Sequence, residues 1–139
     1  MSASRRLSLP LMAIAHARSG DKGNHANLAI LAYTDEGFAW LCHILTEAQI
    51  GRYFASLKPR QVRRYLAANV RGLNFVLYDC LAGGASRSLR TDTQGKTLAQ
   101  LVLPMPIEVP ESYAAMLAPG SVFQAVPLHL AIPPETAHE

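Results

Sequence analysis

Several absences narrow this chain before any motif is read. Among 139 residues there are two cysteines, one tryptophan and 7% aromatic side chains. Cys42 and Cys80 show no CxxC spacing, so neither a disulfide framework nor a zinc site is supported, and both read as core residues rather than nucleophiles. Charged residues are 17% against an apolar half, which excludes a self-repelling disordered chain for the bulk of it. No run approaches the roughly 18 uninterrupted apolar residues that a membrane-spanning helix needs. His16, His25, His43, His129 and His138 are scattered, with no pair at zinc-ligand spacing beside a carboxylate, so neither a metal nor another cofactor is expected. Walker, dinucleotide and GxSxG signatures are missing as well.

What is present is an uneven charge. Residues 1–47 are neutral, whereas residues 48–96 hold nine cations against Asp79 and Asp92, and from residue 97 onward there is no Lys or Arg at all. The formal +3 therefore hides a basic centre and an acidic tail. Such a centre suits an anionic ligand or partner, although a solvated basic face explains it equally well. Residues 4–17 imitate a short secretory signal, but Ser8 and Pro10 interrupt the apolar stretch, and cleavage after Ala17 would strip the strand from the loop that follows. A cytoplasmic location is expected.

The length is about one domain's worth. Residues 1–10 read as a flexible leader and residues 11–105 as the domain. Residues 106–139 read as a proline-rich extension packing on the domain or on a neighbouring subunit; seven of the nine prolines lie in the last 36 residues. Residues 11–17 predict a strand, residues 18–25 a loop and residues 27–33 a second strand. Thr34 with Asp35 and Glu36 predicts a helix burying Phe38, Leu41, Cys42 and Leu45. Thr46 and Gln49 form a capping box for another, burying Ile50, Tyr53, Phe54 and Leu57. Residues 61–69 alternate as a strand. Leu73, Val76, Leu77, Cys80 and Leu81 have helical spacing ahead of Gly83-Gly84, predicting a third helix. Residues 86–91 and 97–105 predict a hairpin around Asp92-Thr93-Gln94-Gly95. One helical turn near residues 113–117 and a short strand near residues 121–126 complete the expectation.

Two segments can carry chemistry. In Arg18-Ser19-Gly20-Asp21-Lys22-Gly23-Asn24, two glycines three apart let backbone N–H groups turn inward as an anion nest, with Arg18 and Lys22 adding charge. A tight turn with Asp21 paired locally is the simpler alternative. His25, between Asn24 and Asn27, offers an imidazole near neutral pH. The second segment, Gly83-Gly84-Ala85-Ser86-Arg87, places hydroxyl and guanidinium groups after an expected helix end, where the two segments would face one ligand. Asp21, Lys22 and His25 are the candidate proton-transfer groups. Arg18, Ser19, Gly20, Gly23, Asn24, Asn27, Gly83, Gly84, Ser86 and Arg87 join Asp21 and Lys22 as candidate ligand contacts.

The run Ile14-Ala15-His16-Ala17-Arg18-Ser19-Gly20-Asp21-Lys22-Gly23-Asn24, then Asn27 with Leu28-Ala29-Ile30, then Leu73-Asn74-Phe75-Val76-Leu77, Gly83-Gly84, Ser88-Leu89-Arg90, Asp92 and Gly95-Lys96, resembles the C-terminal ferredoxin-like domain of acyclic terpene utilisation (AtuA-like) proteins. The resemblance implies an α+β fold, a ferredoxin-like two-layer sandwich with a mostly antiparallel sheet and helices on one face. It also implies a domain found either fused behind a larger N-terminal domain or as a short separate chain, in bacterial pathways that degrade acyclic terpenes and related acids as CoA thioesters. Ala85 departs from the family, where a third glycine is usual.

Three functions compete at this stage. The first is an accessory domain or small subunit acting with a larger AtuA-like partner on acyl-CoA or terpenoid compounds and holding an anionic ligand at residues 19–24. The second is a small enzyme for a carboxylate or CoA thioester using the same loop, with backbone N–H groups as oxyanion donors. The third is a nucleic-acid module, but only Tyr65 beside Arg63 and Arg64 supplies an aromatic on a strand, and no RNP-like run exists, so nucleic acid is not an expected partner. A homo-oligomer is expected, since a sheet covered on one face leaves the other to be covered.

Overall fold

From His25 to Ala32 every second residue is fully withdrawn from water, the pattern of a strand with one covered face. A computed structural model of the chain describes residues 6–22, 25–79 and 98–130, with only the backbone of Asp21 and Lys22. In chain order the elements are β1 (Leu7–Pro10), β2 (Ala15–Lys22), β3 (His25–Ala32), α1 (Asp35–Ile44), α2 (Glu47–Tyr53), β4 (Gln61–Ala67), β5 (Gly72–Tyr78), α3 (Leu98–Val102), β6 (Pro106–Val109) and β7 (Val126–Pro127), joined in places by single 3-10 turns. The described strands form two antiparallel sheets, one of order β2-β3-β5-β4 and one of order β6-β1-β7. The expected α+β architecture with an antiparallel sheet is therefore present.

The three α-helices among the described residues lie on one face of the larger sheet: α3 packs on β2 and β3, α1 on β3 and α2 on β4. Leu28, Ile30, Leu73, Phe75 and Leu77 from the sheet meet Leu41, Leu45, Ile50, Leu98 and Val102 from the helical layer, all essentially inaccessible. The helix starts follow local chemistry. Thr34 Oγ accepts from the Gly37 N–H at 2.9 Å and Thr46 Oγ from the Gln49 N–H at 3.1 Å, each cap contributing about 1 kcal/mol. Arg64 fastens β4 to the α1–α2 junction. Its guanidinium donates to the Cys42 and Leu45 carbonyls, both at 2.8 Å, and its N–H to the Glu47 carboxylate at 2.8 Å, satisfying carbonyls that the end of α1 leaves open.

Four expectations are corrected. Residues 72–78 form the strand β5 rather than part of a helix, because Leu73, Phe75 and Leu77 are buried at period two while β5 pairs with β3 on one side and β4 on the other. Cys80, Leu81 and the Gly83-Gly84 pair lie outside the described residues. Residues 18–22 are not loop: β2 continues to Lys22, paired with His25. Residues 98–102 form α3 rather than a strand, burying Leu98, Ala99 and Val102. Residues 7–10, placed in the leader, form β1 with Ser8 and Leu9 buried, and the pairing of Leu9 with Ile107 joins this segment to the start of the proline-rich stretch. The expected helical turn appears at Tyr113–Met116, and the expected strand near residues 121–126 is confined to Val126–Pro127.

Candidate functional site

Successive side chains in a strand point to opposite faces, so a motif that lies in a strand cannot act as one cradle. Across the β2–β3 hairpin the partners are Arg18 with Ala29, Ser19 with Leu28, Gly20 with Asn27, Asp21 with Ala26 and Lys22 with His25. Ser19 shares the covered face with Leu28. Its Oγ accepts from the Ala99 N–H at 3.1 Å, one of the first-turn donors that α3 cannot satisfy internally. At the other end of α3 the Tyr53 hydroxyl donates to the Leu101 carbonyl at 2.6 Å, and burial pushes that phenol's pKa up. Ser19 is thus engaged in holding α3.

Arg18, Gly20 and Asn27 stand exposed on the opposite, open face. Ladder pairing sets them in two cross-strand rows: Gly20, Asn27, Val76 and Arg63, and beside it Arg18, Ala29, Asn74 and Tyr65. Asn27, Ala29, Asn74 and Val76 fill the middle, and each edge carries one cation, Arg18 on β2 and Arg63 on β4. A Cβ built on Gly20 would meet nothing within 4 Å, and its backbone is not left-handed, so the fold itself does not require glycine there. Among the described residues no open-face position of these four strands is an aspartate or glutamate.

Where β5 ends, Asp79 takes a left-handed φ of 57° and organises a second group. Its N–H donates to His25 Nδ1 at 3.0 Å, and its carboxylate, 3.7 Å from the same nitrogen, is paired with Arg60. The hydrogen bond from Arg60, reinforced by the Arg60 charge and opposed by partial desolvation, holds the Asp79 carboxyl below its ordinary range. With Nδ1 accepting, the hydrogen-bond network assigns the neutral imidazole's proton to Nε2. The His25 ring meets Tyr78 edge-on at 4.9 Å, and the Arg60 guanidinium lies 5.8 Å from the Tyr78 centroid. A hydrogen bond to the Tyr65 hydroxyl is the leading cause that raises the Tyr78 phenol.

The sequence model of the AtuA ferredoxin-like domain matches residues 9–108. The chain belongs to that family. No curated protein and no solved structure matches it. The limits of the AtuA ferredoxin-like domain fall within β1 and β6, the two strands that pair, and its fold is the α+β ferredoxin-like one.

Within this AtuA ferredoxin-like domain the expected site residues separate. Arg18, Gly20 and Asn27 are together, Ser19 is on the other face, His25 belongs to the Asp79 group, and Asp21 and Lys22 are placed by backbone pairing alone. Gly23, Asn24, Gly83, Gly84, Ser86 and Arg87 lie outside the described residues. Sequence reading missed Arg60, Asn74, Tyr78 and Asp79 as site residues, and raised Arg63 and Tyr65 only for a nucleic-acid module. A period-two reading of residues 72–78 would have set Asn74 and Tyr78 on the face opposite Leu73, Phe75 and Leu77. Two hollows flanking Trp40, about 380 and 470 Å³, touch none of the motif residues. Among the described residues no group of three or more His, Cys, Asp or Glu side chains is arranged to hold a metal, and no helix is long and apolar enough to cross a membrane.

Proposed function

We propose that this domain serves as an accessory domain or small subunit beside a larger AtuA-like partner in bacterial acyl-CoA or acyclic terpenoid catabolism, and that it holds an anionic ligand on the open sheet face at Arg18, Gly20 and Asn27. One observation carries the ligand reading: Arg18 and Arg63 occupy a face whose described strand positions include no carboxylate. Family membership supports the partner, since the resemblance implies a domain that is either fused to a larger one or supplied separately. Co-purification with a larger AtuA-like protein at physiological salt tests the partner, and the melting temperature with an acyl-CoA tests the ligand. A complex and a raised melting temperature are expected; the loss of both results would end this reading.

A second reading, a small enzyme acting on a carboxylate or CoA thioester, has one observation in its favour. The Asp79 N–H fixes His25 with its Nε2–H facing away from the anchor, a state suited to donating a hydrogen bond to a carbonyl oxygen of the substrate. Substitution of His25→Gln would abolish turnover in that case and leave acyl-CoA binding intact.

A further inference from the structure

We propose that two copies of the chain dock through the open faces of their β2-β3-β5-β4 sheets, about a two-fold axis running along the strands between β3 and β5. An anion then sits over Gly20, held by Arg18 of one copy and Arg63 of the partner subunit. This rests on the anion reading above and names the group that completes the site.

Within one copy the two arginines cannot share an oxyanion. Arg18 is on β2 and Arg63 on β4, the two edges of the sheet, about 14 Å apart over three strand spacings. Neither forms an ion pair with a described carboxylate. A two-fold axis along the strands keeps each cross-strand row and exchanges its ends. The row Gly20, Asn27, Val76 and Arg63 then lays the partner's Arg63 over Gly20, where a Cβ would meet nothing within 4 Å. The row Arg18, Ala29, Asn74 and Tyr65 lays Arg18 against the partner's Tyr65 and Ala29 against the partner's Asn74, small side chains facing larger ones. Arg18 and the partner's Arg63 end one row apart, about 7 Å along the strand, so both guanidiniums reach one phosphate or carboxylate group. Aligned sheets cross at about 30°, which slides an edge strand by about 4 Å, within the span of an arginine side chain.

The apolar end of the face fixes the direction of the axis. Leu31, Ala67 and Val70 gather around Gly72, and Val70 is 52% exposed. An axis along the strands sets this end against its own copy and removes it from water. An axis across them would set it against the end that carries His25 and Gln61. Area and charge make the pair depend on its ligand. Four strands of seven or eight residues cover roughly 19 Å by 24 Å, or about 450 Å² in projection, against about 800 Å² per partner in a standard interface. Each rim also gathers a cation from both copies at strand positions that include no described carboxylate. An anion that neutralises this pair of cations ties the two copies together.

Analytical ultracentrifugation of the full chain with and without acetyl-CoA tests this, beside amide chemical shifts that report binding. Acetyl-CoA is expected to lower the dimer dissociation constant about tenfold. Arg18→Glu places a carboxylate beside the partner's Arg63 and should strengthen the dimer without acetyl-CoA, while Arg18→Glu combined with Arg63→Glu should return the chain to a monomer. Gly20→Val, whose side chain takes the space that the partner's Arg63 needs, should weaken the dimer about tenfold at an unchanged melting temperature of the free chain. If the amide shifts at Arg18 and Gly20 saturate while the chain stays monomeric, the shared site falls and the anion reading stands. A dimer indifferent to both acetyl-CoA and Arg18→Glu also overturns the shared site. With neither shifts nor a dimer, both readings fall.

Discussion

The Ser19 hydroxyl, central to the most specific motif of the chain, is committed to the Ala99 N–H at 3.1 Å and so to the first turn of α3. The motif therefore has two jobs on two faces. One residue anchors a helix, while its neighbours Arg18 and Gly20 stand in the open with Asn27.

Ser19→Ala should destabilise the fold by about 1 kcal/mol, the usual worth of a helix-start hydroxyl. Affinity for an acyl-CoA should be unchanged. Denaturant unfolding measured beside ligand titration on the same variant checks both halves.

Gly20→Ala should leave stability within about 0.5 kcal/mol, because the added methyl meets nothing and the backbone carries no positive φ to strain. A large loss in thermal unfolding would show that the glycine serves the hairpin rather than a ligand.

Arg64→Ala should cost roughly 2 kcal/mol, since two carbonyls at the end of α1 lose a charged donor. Arg64→Lys should not restore it, because Nη1, which makes both bonds, stands farther from the backbone than a lysine ammonium reaches. Urea midpoints for the two variants decide the matter.

Asp79 predicts an acid-side dependence. Its folded pKa is lowered by Arg60, so its contribution is present above the unfolded value of about 3.9 and is lost as pH falls through the folded value. Asp79→Asn keeps a residue that tolerates the left-handed backbone and removes only the charge. The stability difference between wild type and Asp79→Asn should be constant from about pH 7 down to about pH 5 and shrink below about pH 4.

Legibility followed the range of the interaction that decides each element. α1 and α2 were readable because Thr34 and Thr46 are caps whose partners lie three residues away. β5 was not, because Leu73, Val76 and Leu77 satisfy helical spacing while Leu73, Phe75 and Leu77 satisfy strand spacing, and the choice is made by ladders to β3 and β4 far off in sequence. α3 is five residues long, too short for a period to be counted, and is held from outside by Ser19 and Tyr53. The string of residues 18–24 was visible at once as a candidate site. Its division between two faces depends on β2 running to Lys22, and Arg63 and Asn74 join Asn27 only through strand register.

The central claim is that an anion sits on the open face at Arg18, Gly20 and Asn27. Amide chemical shifts of the full chain, titrated with an acyl-CoA, test it most directly. Saturable shifts concentrated at those three residues are the predicted result; no shifts, or shifts confined to the helix-covered side around Ser19 and Ala99, would contradict it.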